Sequence, residues 1–112
     1  MANKRQQKRF IYRCETEFNY NETTYRGISS NFSLGGLFLR TSYPAHPDTI
    51  LDMVIHLPDG SYSKITGKVI RAIKPALGRV IGIPIRDLKH GMGIKVIKKD
   101  INYLHFIRSL LG

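Results

Sequence analysis

The residues best suited to chemistry in this 112-residue chain fall in two short groups. One is a loop, Asn31-Phe32-Ser33-Leu34-Gly35-Gly36, which sets an amide, a hydroxyl and a glycine at i, i+2 and i+5. The other is a basic N-terminal run, Lys4, Arg5, Lys8, Arg9 and Arg13, with no acid among residues 1–13. Arginine's planar fork bonds phosphate through two parallel hydrogen bonds, can bond the O6/N7 edge of guanine, and stacks on a purine face. The Asn31 amide and Ser33 hydroxyl both donate and accept. Gly36 lets a ligand reach the backbone. Loop and run together would suit a small dianionic ligand. Taken singly, each has a plainer reading: Asn, Ser and Gly form ordinary inter-strand turns, and a basic run can be a solubilising tail.

Other chemistries lack their residues. His46, His56, His90 and His105 are scattered, with no metal-ligand spacing and no carboxylate cluster. Cys14 is the single cysteine, so no disulfide within the chain and no zinc-type cysteine pair is possible. It reads as a core thiol rather than a nucleophile. The eight acids are dispersed, so a general acid/base pair has no support. There is no phosphate-binding glycine loop of the Walker or dinucleotide type. The expectation is a binding protein: not an enzyme, with no catalytic residues, no metal and no cofactor.

Eighteen Lys and Arg against eight Asp and Glu give a formal net charge of +10. A field of that sign favours an anionic partner such as a nucleotide, a nucleic acid, a membrane surface or an acidic protein. The basic N-terminus is followed only by Phe10-Ile11-Tyr12 before Arg13 interrupts, which argues against a secretory signal. No apolar run approaches the roughly 20 residues needed to cross a bilayer. Membrane insertion is not expected, and a single cysteine fits a cytoplasmic protein.

The scaffold that must position these groups reads as short strands. Residues 1–9 show no apolar periodicity and are expected to form a flexible basic arm; residues 10–112 form one domain. Over 13–18, Cys14, Thr16 and Phe18 alternate with Arg13, Glu15 and Glu17. Tyr20-Asn21-Glu22 is a turn, and 23–30 pairs back as a hairpin with Gly27 marking a bulge or a close backbone approach. After the loop, 37–41 is a strand with Leu37 and Leu39 on one face. Pro44 and Pro47 make 42–48 a connection. Over 50–57, Leu51, Met53, Ile55 and Leu57 face one way. Pro58-Asp59-Gly60 turns the chain into a partner strand over 62–73, with Ile65, Gly67, Val69 and Ile73 on one face. Residues 74–90 are poorly legible; Pro84 limits 80–85 to an edge strand or loop. Met92, Ile94 and Val96 face inward from a last strand. A helix over 100–111 follows, with Asp100 as N-cap and an apolar stripe of Ile101, Leu104, Ile107 or Arg108, and Leu111. The pattern is all-β with a terminal helix: a small antiparallel barrel with the helix over an open end.

Arg9-x-x-x-Arg13, a hairpin's length of chain, and then Asn31-x-Ser33-x-x-Gly36 resembles the two-part RxxxR and (D/N)xSxxG signature of the PilZ domain family. The Gly36-Leu37-Phe38-Leu39 continuation, the Gly91-Met92-Gly93-Ile94 strand and the helical tail also look like that family. The resemblance implies a six-stranded antiparallel split β-barrel with a C-terminal α-helix, acting as a bacterial receptor or adaptor for cyclic di-GMP. By the family motif, Arg9 and Arg13 would grip phosphate and guanine, while Asn31, Ser33 and Gly36 would hold a guanine and its sugar-phosphate. Arg5-x-x-x-Arg9 also satisfies RxxxR; Arg9/Arg13 is preferred because Arg13 leads directly into the first strand. Arg5, Lys8 and Gly35 are secondary candidates, and a cation at Lys8 is compatible with a stacked pair of ligands. The signal would pass through a change of arm conformation to an unidentified downstream protein, with motility or exopolysaccharide among the outputs. The alternative is a basic small barrel binding RNA or single-stranded DNA, with Tyr25, Phe32 and Tyr43 as stacking residues.

Overall fold

In a computed structural model, residues 10–73 and 90–111 are described. The strands are β1 (Cys14–Tyr20), β2 (Thr23–Ser30), β3 (Gly36–Arg40), β4 (Ile50–His56), β5 (Tyr62–Ile73) and β6 (Gly91–Lys98), followed by α1 (Ile101–Leu111). They close into a barrel in the order β1-β2-β3-β6-β5-β4, every neighbouring pair antiparallel. The reading of 80–85 and the arm at 1–9 lie outside the described residues.

Alternation explains the barrel interior. Cys14, Thr16 and Phe18 are buried from β1, Leu37 and Leu39 from β3, and Leu51, Met53 and Ile55 from β4. Ile65 and Val69 join them from β5, and Met92, Ile94 and Val96 from β6. The apolar side chains form one cluster with Tyr103, Phe106 and Ile107 of α1, which binds the helix to the barrel core. Thr16 lies inside this apolar set, and its hydroxyl is satisfied by the buried Ser29 hydroxyl at 2.7 Å.

The β1–β2 turn has Asn21 and Glu22 both at positive φ, 52° and 64°, the handedness a two-residue hairpin needs. Gly27 is a close approach: a Cβ there would stand 2.5 Å from the Arg40 carbonyl oxygen of the neighbouring β3. The inward face expected of β5 holds through Val69 and then breaks. A register shift between Val69 and Arg71 interrupts the alternation, and Ile73 beyond it is only half-buried.

Asp100 caps α1 as expected: its Oδ1 accepts the Tyr103 N–H at 2.9 Å. The same carboxylate accepts the Ser63 hydroxyl at 2.8 Å and the Lys64 N–H at 2.7 Å, tying the helix start to β5. Of the expected apolar stripe, Ile107 is buried and the rest is corrected. The buried residues are Tyr103, Phe106 and Ile107, whereas Ile101, Leu104 and Leu111 are exposed. Both sides of the helix are apolar, and the aromatic side wins because it fills the barrel end and gives the Tyr103 hydroxyl an acceptor.

Candidate ligand-binding site

The two sequence groups meet through the backbone. Phe10 N–H donates to the Phe32 carbonyl at 2.7 Å, and Phe32 N–H donates to the Phe10 carbonyl at 2.8 Å. This isolated antiparallel bridge extends the β1–β2 pairing, in which Cys14 lies opposite Ser29. Between the two pairings stand residues 11–13 on one strand and residues 30–31 on the other. Continuing the β1–β2 register sets Arg13 opposite Ser30, the residue before Asn31. Arg9, with Arg5 and Lys8, lies outside the described residues; Arg9 is bonded directly to Phe10, whose partner is the loop's own Phe32.

Each loop residue has a distinct role. Asn31 is exposed and sits at φ 52°, a left-handed conformation that Asn tolerates better than most residues. Its side chain has no hydrogen-bond partner among the described residues, which leaves its donors and acceptor facing solvent. Ser33 is fully buried and ties the loop together. Its N–H donates to the Gly36 carbonyl at 2.8 Å, and its hydroxyl accepts the Gly36 N–H at 3.1 Å. In the structure this hydroxyl pairs with Gly36 of the same loop, which fixes the loop's shape. The Gly35 carbonyl accepts the Val96 N–H at 2.9 Å, and Gly36 lies in register with Lys95, so β6 holds the far end of the loop.

Charge follows the same division. Arg13 is exposed and has no ion-pair partner among the described residues, where Lys68 pairs with Asp48 and His56 Nε2 lies 3.5 Å from the Glu17 carboxylate. Lys95, also exposed, adds a cation opposite Gly36 that the sequence reading did not include. Acids at the loop itself are absent from the sequence of residues 30–40.

Four residues beneath the site escaped the sequence reading. Phe10 makes the bridge. The Tyr103 hydroxyl donates to the Ser33 carbonyl at 2.6 Å, so α1 supports the loop from below. Phe106 meets Phe32 edge-on at 5.1 Å between ring centroids and Tyr12 edge-on at 5.9 Å. One helix side therefore touches both halves of the site. The only sequence signal was the cluster of rings at Phe10, Tyr12, Tyr103 and Phe106, whose long-range pairings no local pattern encodes.

Phe32 also corrects the alternative reading. It is 0% exposed and cannot stack on a base. Tyr25 is half-buried between Phe18 and Tyr43, leaving Tyr43, 60% exposed, as the accessible ring of the proposed three. Among the described residues, no group of three or more His, Cys, Asp or Glu side chains is placed to hold an ion. Burial pushes the Cys14 thiol up to about 11, away from the thiolate a nucleophile needs. Among the described residues, no helix is long and apolar enough to cross a membrane.

A comparison with solved structures finds the Bacillus subtilis inhibitor of motility, MotI/DgrA, at a TM-score of 0.76 and 16% sequence identity. The match covers 98% of this chain and 51% of that one, so the chain spans about half the length of that protein, and the likeness is one of fold. No curated protein matches the chain. The family model described as "PilZ domain" matches residues 3–99, a span that includes both sequence groups. The chain belongs to the PilZ domain family.

Proposed function

We propose that this protein is a cyclic di-GMP receptor that acts as an adaptor rather than an enzyme, with Arg9, Arg13, Asn31, Ser33 and Gly36 forming its site. The observation that carries the reading is the Phe10–Phe32 bridge, which joins the arginine segment to the loop. In this reading Arg13 and Arg9 take the ligand's phosphates and one guanine. Asn31 and the backbone at Gly35 and Gly36 hold the ligand from the barrel side, and Ser33 keeps the loop in shape. Arg5 and Lys8 extend the positive field, as does Lys95. Each charge-assisted bond contributes about 1.5–3 kcal/mol, against an ordering cost of about 1 kcal/mol per residue fixed.

Ligand binding would reposition the arginine segment and change the surface read by a partner protein. The similarity in fold to a protein described as an inhibitor of motility makes motility one output to examine. A receptor for a second messenger of this kind would work in the bacterial cytoplasm.

The test is a titration with cyclic di-GMP, GMP and a length series of oligonucleotides. The proposal expects saturation at one or two cyclic di-GMP per chain and at least tenfold weaker binding of GMP. Affinity that instead grows with oligonucleotide length and collapses with salt would give the site to nucleic acid. Failure of all three ligands to bind would remove the receptor function.

A further inference from the structure

α1 carries apolar residues on two sides, and the barrel covers one. Tyr103, Phe106 and Ile107 are buried against the barrel. On the other side Ile101 is 60% exposed, Leu104 37% and Leu111 61%, with Arg108 exposed among them. Positions 101, 104, 108 and 111 follow the 3-4-3 spacing of a helix–helix seam. At 1.5 Å per residue the seam is about 15 Å long. A helix that is apolar on both sides is ordinarily covered on both.

Charge selects the occupant. α1 contains no acidic residue, and the one Arg or Lys it holds is Arg108, inside the seam. A second copy would bring +10 against +10 and set one Arg108 near another. Residues 1–9, with Lys4, Arg5, Lys8 and Arg9, have the same wrong sign. The complement is an acidic helix. We propose that the outer side of α1 docks a partner protein's amphipathic helix, its apolar residues set between Ile101, Leu104 and Leu111 and a carboxylate meeting Arg108.

The inner side of the same helix supports the ligand site. Tyr103 holds the Ser33 carbonyl, and Phe106 touches both Phe32 and Tyr12, the latter lying between Arg9 and Arg13. A ligand that reorders the arginine segment displaces a ring resting on α1. This coupling rests on the receptor function proposed above; the docking surface does not.

Two synthetic helical peptides with one shared leucine seam, flanked in one by Glu and in the other by Lys, test the surface by fluorescence anisotropy. The Glu-flanked peptide is expected to bind and the Lys-flanked one not. Leu104→Glu and Leu111→Glu, both at exposed positions, are each expected to weaken binding roughly tenfold or more. Circular dichroism checks that both variants remain folded. Saturating cyclic di-GMP is expected to shift the affinity for the Glu-flanked peptide roughly fivefold in the wild type, a typical coupling, and not in Tyr12→Ala. Failure of the Glu-flanked peptide to bind, equal binding of both peptides, or indifference to both substitutions overturns the docking surface. A dimer in sedimentation velocity that Leu104→Glu separates also overturns it, giving the face to a second copy. If cyclic di-GMP does not bind while the Glu-flanked peptide still does, the receptor function fails and the surface stands. If cyclic di-GMP binds without shifting peptide affinity, the coupling is refuted.

Discussion

Replacing Asp100 tests what holds α1 under the loop. In Asp100→Ala, α1 loses the acceptor for the Tyr103 N–H, and an N-cap of this kind contributes about 1 kcal/mol. The buried Ser63 hydroxyl loses its acceptor, costing about 1 kcal/mol more, and the exposed Lys64 N–H turns to water at a smaller cost. An isolated 11-residue helix is not stable in water, so the loss falls on the whole fold. The sum is roughly 2–3 kcal/mol, equivalent to roughly 10 °C in Tm for a chain of this size. Asp100→Asn keeps Oδ1 for Tyr103 and Ser63 but sets an NH2 group against the Lys64 N–H, so its cost is about 1 kcal/mol. Burial pulls the Asp100 pKa upward, but the Lys64 and Tyr103 N–H groups and the Ser63 hydroxyl together outweigh it, and the carboxyl titrates below its ordinary value. Its contribution is therefore present above the unfolded value of about 3.9 and is lost as pH falls through the lower native value. Urea denaturation at neutral pH and across the acid range reads both effects. A loss under about 0.5 kcal/mol for Asp100→Ala, or an acid dependence unchanged in Asp100→Asn, would refute this account of how α1 is anchored.

Three further perturbations probe the barrel. Glu22→Gly relieves a left-handed residue in the β1–β2 turn and is expected to stabilise by about 0.5–1 kcal/mol in urea denaturation. Gly27→Ala drives a Cβ to within 2.5 Å of the Arg40 carbonyl and 2.9 Å of the Leu39 side chain; it is expected to cost about 1–3 kcal/mol by the same assay. Cys14 is 4% exposed with its pKa raised to about 11, so a disulfide reagent at neutral pH is expected to modify it only in denaturant.

Much of the barrel was legible because strand parity is a local property. Cys14/Thr16/Phe18 and Leu51/Met53/Ile55 alternate without ambiguity, and the turn residues at 21–22 and 58–60 mark where the strands reverse. Parity fails where an extra residue enters, as between Val69 and Arg71, and nothing in Ile70-Arg71-Ala72 announces that shift. The side of α1 that packs inward was illegible for a different reason. Two apolar stripes compete, and the winner depends on an acceptor at Ser33, 70 residues away in sequence. The candidate site divides in the same way. Its residue types and spacing stand in the sequence, whereas the Phe10–Phe32 bridge that joins its halves is a long-range pairing without a local signature. The pairing of the Ser33 hydroxyl with the Gly36 N–H likewise depends on the folded loop.

Isothermal titration calorimetry of cyclic di-GMP against the wild type, Arg9→Ala, Arg13→Ala and Asn31→Ala tests the central claim most directly. On the proposed site each arginine variant would lose a charge-assisted hydrogen bond to the ligand and is expected to bind roughly 10- to 100-fold more weakly. Asn31→Ala is expected to weaken binding roughly 3- to 10-fold, the scale of a neutral hydrogen bond. Wild-type affinity in both arginine variants would contradict a site built from an arginine segment joined to the Asn31–Gly36 loop.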